Sequence, residues 1–314
     1  MVDRENVAVL GFGRSGTTWV SDIISKVAGT AVLFEPWHPE VLPDSEALSY
    51  RTTYDGTESE AVLAHLRAAL SKQQRVPWLL RNHLPAAVHE VDPRFVEQVW
   101  DEVGVLGFKT IRGMMMPDWI VENIAPRAIF IVRHPLAVVA SIKRRSNFWE
   151  FGWPRTFELF LRNALGGKDP IVAEIRAAVE KRGTGRNDIE RVSLMWAVTH
   201  AIAVPKMQRV GVPILFYEDL YDDPFRWTRK LLGHLDLESH GILPTYLFTP
   251  ALTTHRTLHG QGGLRDPGGG RIDPEFFWSD TLSPSEQETV LEVVDAFGVH
   301  LYGPDGSRVR DGSA

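Results

Sequence analysis

Short apolar runs recur along the chain, each followed by a polar or glycine-bearing turn and then by apolar positions at helical spacing. Val7–Leu10, residues 30–34, Val105–Thr110, Ala128–Val132 and Pro213–Phe216 have the length and branching of strands. Trp78–Leu80 reads as one more short strand. Ala128–Val132 is continuously apolar, the mark of a central strand covered on both faces. Glu58–Lys72 carries acids early, a base at its end and helical apolar spacing. Helices are likewise expected over Pro93–Val103, from Pro117 to about Ile124, over Ile189–Arg209 and over 224–235. A final helix is signalled by Ser283 with Glu286 three residues on, and Gly298 stops it. Residues 43–58 read as an exposed polar loop. Residues 146–188 read as a mostly helical region, broken by Gly/Lys/Asp/Pro and Gly/Thr/Gly, of the kind that forms a lid or substrate wall. Alternation at this density predicts an α/β fold, with a central parallel sheet flanked by helices, in a single domain over 1–304. Residues 305–314 read as a disordered tail.

The first strand leads directly into Gly11-Phe-Gly13-Arg14-Ser15-Gly16-Thr17-Thr18-Trp19, after which Trp19, Ile23, Ile24 and Val27 share a helical face. Strand, glycine turn and helix N-terminus together form a P-loop-like anion site, where free N–H groups converge and the helix dipole adds positive potential. The spacing approaches the triphosphate loop G-x-x-x-x-G-K-[ST], with Gly11, Gly16 and Thr18 in place. Thr17 stands where that loop has its lysine, and the cation is Arg14 instead. Such a loop holds a terminal phosphate but is poorly equipped for triphosphate chemistry. The plainer alternative is a glycine turn capped by Ser15 or Thr17.

Composition adds limits. At 314 residues the chain can bury a substantial core, and a net charge of −6 argues against a general nucleic-acid surface. Arginine supplies most of the 34 basic residues, forks suited to phosphate and sulfate. With no cysteine, disulfides and thiolate metal sites are excluded, and no metal-ligand spacing is present. No leader or membrane-spanning run is legible, so a cytoplasmic setting is expected.

Three further segments carry chemistry. Arg133 ends the Ala128–Val132 strand and Ser141 follows inside the next helix; ligands of open α/β sheets bind at such strand ends. A guanidinium fork and a helix hydroxyl there suit a phosphate, although Arg133 could equally form a surface salt bridge. Lys109 ends the strand before, in G-F-K-T-I-R. Glu35 ends the second strand in F-E-P-W-H, between Phe34 and Trp37, and apolar neighbours make a carboxylate a better base. The alternative is a structural pair with Arg14 or Lys109. His38 and His83, the latter in R-N-H-L-P, are the other candidate bases or substrate contacts.

The run R-S-G-T-T-W resembles the 5′-phosphosulfate loop of sulfotransferases that use 3′-phosphoadenylyl sulfate (PAPS), and R-H-P…S resembles their 3′-phosphate segment. The resemblance covers most of 7–145 and, more loosely, 190–300. It implies transfer of a sulfuryl group to an acceptor hydroxyl, with adenosine 3′,5′-bisphosphate (PAP) as product and no metal required. It assigns Arg14, Ser15, Gly16, Thr17, Thr18 and Trp19 to the donor's 5′ side, Arg133 and Ser141 to its 3′-phosphate, and Lys109 and Arg14 to the transferring group. Cytosolic members read K-T-H-L-P where this chain has Ile111 after Lys109-Thr110, and that histidine base is missing. E-P-W-H is similar to carbohydrate sulfotransferases, in which the glutamate is the base; this points to Glu35 and to a glycan or glycolipid acceptor. Y-E-D-L at 217–220 also resembles the family, and Glu218 and Trp196 read as structural. The glycine-rich loop 260–272, with Arg265 and Arg271, either closes over the 3′-phosphate or is a surface loop, since R-K-G-x-x-G is absent. Two other classes share the loop: a P-loop kinase-like phosphotransferase and a non-catalytic nucleotide-binding module.

Overall fold

The computed structural model of the chain describes residues 6–26, 30–84, 91–144, 154–237, 278–303 and 307–309. Five strands, β1 (Val7–Gly11), β2 (Thr30–Phe34), β3 (Gly104–Thr110), β4 (Arg127–Val132) and β5 (Ile214–Phe216), form one sheet in the order β2-β3-β1-β4-β5. All four pairings are parallel. Every residue of β1 is buried, as a central strand with covered faces requires.

Alternation along the strands separates two apolar layers. Val7, Val9, Ile129, Ile131 and Leu215 meet α1 (Thr17–Ile24) and the later helix Pro224–His234 on one face. Ala8, Leu10, Leu33, Phe108, Phe130 and Phe216 meet the larger layer on the other. That layer is built from α3 (Gly56–Leu70), α4 (Pro93–Glu102), α5 (Pro117–Asn123), α6 (Pro135–Lys143), α9 (Asp188–Val210) and the last described helix, Pro284–Asp295. Between α6 and α9, the described part of 146–188 forms α7 (Pro154–Ala164) and α8 (Pro170–Arg182).

Helix starts follow local chemistry. Asp55 and Ser283 open α3 and the last helix with reciprocal capping boxes, and Asp92 and Asp169 cap α4 and α8. Four expectations need correction. Trp78–Leu80 belongs to a 3₁₀ turn, Pro77–Leu80, because three apolar residues behind a proline carry no strand period. The polar loop 43–58 contains a short helix, α2 (Ser45–Leu48), whose Ser45 and Leu48 are buried. Gly11, Gly13 and Gly16 are the residues expected to supply positive φ in the turn; Gly16 does (φ 94°), but the second left-handed residue is Arg14 (φ 70°) and not Gly13. Where a disordered tail was expected, Ser307–Val309 folds back: the Gly303 and Val309 N–H groups donate to the carbonyls of Ser307 and Leu301.

Candidate active site

The C-terminal ends of β1 and β4 build one half of the site. Gly16 is the N-cap residue of α1 and no side chain caps the helix, so the N–H groups of Gly16, Thr17 and Thr18 begin the helix without intrahelical partners. The Ser15 N–H is not among them; it closes the turn onto the Phe12 carbonyl at 3.1 Å. Ser15 Oγ is buried and makes no hydrogen bond. A Cβ on Gly16 would lie 2.5 Å from the Tyr217 ring, and Tyr217 also meets Trp19 edge-on at 5.5 Å. The turn thus needs glycine for its backbone and for the aromatic packed against it.

Arg14, Ser141 and Arg133, far apart in sequence, converge. Arg14 Nε donates to Ser141 Oγ at 3.1 Å, and Arg133 Nη1 donates to the Arg14 carbonyl at 3.2 Å. The Arg133 guanidinium lies 4.3 Å from the centre of the Tyr217 ring. These cationic and hydroxyl groups stand beside the open N-terminus of α1, a combination that draws anions.

The ends of β2 and β3 build the other half. Phe34 pairs with Lys109 in the sheet, and the next residue, Glu35, takes a left-handed turn (φ 47°) with its N–H on the Lys109 carbonyl. Its carboxylate accepts from Lys109 Nζ (2.8 Å), from the Ile111 N–H (2.9 and 3.2 Å) and from Thr110 Oγ1 (3.4 Å); Arg112 Nη1 lies 3.6 Å away. Lys109 Nζ also sits 3.9 Å from the centre of the Phe34 ring. Only 3–4% of either side chain is exposed. Of the two structural partners weighed for Glu35, the structure selects Lys109. Its carboxylate is surrounded by donors rather than by Phe34 and Trp37 alone. Ile111, which cannot take a proton, contributes its N–H.

The histidines separate. His38 joins the Glu35 end: its ring stacks on Trp78 at 3.8 Å, and its Nδ1 accepts from the Glu40 N–H. Burial, with Arg112, Arg81 and Lys109 nearby, pushes its pKa down to about 3. His83 lies along α1, where Asn82 donates to Ser21 Oγ; burial and the charge of Lys26 lower it to about 4. Its Nε2 is buried without a hydrogen bond. Arg265 and Arg271 fall outside the described residues. Among the described residues no three His, Asp or Glu side chains converge as metal ligands would.

Sequence reading missed Tyr217, Arg112 and Arg81, whose guanidinium lies 4.6 Å from the Trp78 ring. Tyr217 had a usable signal: it follows β5 directly, as Glu35 follows β2 and Arg133 follows β4.

A model of the sulfotransferase family matches residues 6–241. Among solved structures, the sulfotransferase domain from the Synechococcus PCC 7002 olefin synthase is similar at 16% identity over 94% of this chain and 96% of that one, with a TM-score of 0.44. The sulfotransferase domain from the curacin biosynthetic pathway is 13% identical over 95% and 99%, at 0.43. Sulfotransferase STF9 from Mycobacterium avium is 14% identical over 97% and 79%, at 0.39. No curated protein matches the chain.

Proposed function

The chain belongs to the sulfotransferase family, and from that premise we propose that it moves a sulfuryl group from PAPS to an acceptor hydroxyl of a carbohydrate or glycolipid. The observation that carries this reading is the convergence of Arg14, Ser141 and Arg133 beside the N-terminus of α1. The N–H groups of Gly16–Thr18 bind the 5′-phosphate, with Trp19 beside them, and Arg133 with Ser141 binds the 3′-phosphate. Arg265 and Arg271, the further candidates for the 3′-phosphate, lie outside the described residues. In the transfer, an acceptor oxygen–sulfur bond forms while the bond from sulfur to the 5′-phosphate oxygen breaks, leaving PAP. Arg14 and Lys109 offset charge on the leaving and transferring oxygens, in the manner of phosphoryl transfer. Glu35 takes the acceptor's proton, and His38 lines the acceptor side, with His83 further along α1.

The Glu35–Lys109 bond gives this chemistry an order. While Lys109 Nζ holds Oε1 at 2.8 Å, that oxygen is engaged. A sulfuryl group arriving at the ends of β1 and β3 competes for Lys109, and its success leaves Oε1 with the Ile111 N–H as its remaining donor and more basic than before. Donor binding thereby primes acceptor deprotonation. Thr17 in place of a lysine favours this reading over the kinase-like one, and the unmodified protein should show no Mg²⁺-dependent ATP hydrolysis. No described helix is long and apolar enough to cross a membrane.

Calorimetric titration tests the donor. PAP should bind much more tightly than 5′-AMP, and Arg133→Ala should weaken PAP by about 2 kcal/mol or more while leaving 5′-AMP nearly unchanged. Equal affinities of the wild-type protein for the two nucleotides would remove the reading.

A further inference from the structure

The turn that carries Arg133 is held from the far end of the chain. Glu218, the second residue of α10 (Tyr217–Asp222), is 4% exposed. A buried carboxylate is costly unless bonded, and this one has two bonds across long sequence separations. Its Oε1 accepts from the His134 N–H at 2.9 Å, and its Oε2 accepts from the Tyr302 hydroxyl at 2.8 Å. His134 directly follows Arg133. Tyr217 directly precedes Glu218 and carries the Arg133 guanidinium on its ring. The first turn of α10 therefore grips Arg133 twice, the side chain through Tyr217 and the main chain through Glu218.

Tyr302 is itself fixed. Its ring meets His134 at 4.7 Å and Phe216 at 5.4 Å, and Trp278 stacks on the His134 ring at 4.9 Å. Burial, and then the charge of Glu218, raises the Tyr302 hydroxyl well above the ordinary tyrosine range, so it stays a donor. Residues 307–309 pin it further: Tyr302 bridges to Arg308, and Arg308 pairs with Asp219 and Asp222 of α10.

We propose that Glu218 and Tyr302 are positioning residues, which set Arg133 for the donor's 3′-phosphate without touching the donor. This rests on the donor reading above. A charged hydrogen bond to phosphate is sensitive to shifts of a few tenths of an ångström, so loosening the turn should affect the 3′-phosphate selectively. A merely structural pair would weaken every nucleotide alike, or none.

The test is calorimetric titration of the full chain with PAP and with 5′-AMP. Tyr302→Phe, which keeps the ring and removes the hydroxyl, should lower PAP affinity by about 3-fold, and Glu218→Ala by about 10-fold. In both, 5′-AMP should stay within about 2-fold of wild type, which also shows that the fold is intact. Glu218→Gln should restore PAP affinity, because its amide oxygen can accept from His134 while its NH₂ donates to Tyr302. Unchanged PAP affinity in Tyr302→Phe, or equal losses for both nucleotides, overturns the proposal; Tyr302→Phe decides alone if Glu218→Ala does not fold. A wild-type protein without preference for PAP instead sinks the donor reading, a separate outcome.

Discussion

In the proposed transfer Glu35 and Lys109 are the pair on which the chemistry turns, and each constrains what a substitution of the other can show. A base acts in the chemical step, so Glu35→Gln should lower sulfate transfer roughly 10²-fold or more while leaving PAP affinity little changed. Labelled-sulfate transfer to a panel of sugar acceptors measures this. Near-normal turnover in Glu35→Gln, with turnover abolished in His83→Ala, would move the base to the R-N-H-L-P segment. Lys109→Ala carries a different cost. It strands a carboxylate that is 3% exposed, and losing one member of a buried pair typically costs about 3–5 kcal/mol. Its melting temperature should fall well below that of Glu35→Gln. The sequence made both residues candidates because both end strands. Which of the two partners weighed, Arg14 or Lys109, bonds Glu35 was hidden there, since it depends on the register that sets Phe34 beside Lys109. The turn at Glu35 was equally hidden, because a glutamate with φ of 47° has no local signature.

Among the elements, the unit of β1, turn and α1 was the most legible. Its apolar run, its glycines and the change to helical spacing all point the same way, and both flanking elements formed where expected. Short apolar runs were less decisive: Trp78–Leu80 and Ile214–Phe216 are alike in length, yet only the second found a strand beside it, β4. The turn itself can be tested against a built-in control. Gly16 and Gly211 share the left-handed region, with φ, ψ of 94°, 10° and 70°, 25°, but a Cβ on Gly211 would meet nothing within 4 Å. Gly211→Ala should therefore show backbone strain alone, about 1 kcal/mol by chemical denaturation. Gly16→Ala should cost more, because the new methyl displaces Tyr217, and it should also weaken PAP and 5′-AMP together. Equal costs at the two positions would mean that Tyr217 gives way freely.

For the whole molecule, acid should be a distinct stress. Burial lowers His83, His134 and His200 to about 4, helped at His83 by Lys26 and at His134 by Arg133. An unfolded histidine titrates near 6.5, so below that pH the unfolded chain takes up protons that the folded one refuses. The stability these groups contribute is complete above about pH 6.5 and is lost as pH falls towards about 4. Each group adds up to roughly 1.4 kcal/mol per pH unit within that window. Scanning calorimetry should show a melting temperature that drops steeply from pH 6.5 to 4.5 and is flatter from 7 to 8. A flat profile across the acid range would contradict the burial of these rings.

The central place of β1 also has a consequence for how the chain is made. Val7 pairs with Gly107 on one side and Arg127 on the other, so this strand, once synthesised, waits roughly a hundred residues for either neighbour. Until then Val-Ala-Val-Leu-Gly is an apolar segment with two open edges, the kind of stretch that seeks other chains. Biosynthesis should therefore depend on chaperone cover and on slow delivery, and refolding yield should fall as protein concentration rises. The strand that seats the nucleotide loop in the finished protein is, during its birth, the segment most exposed to aggregation.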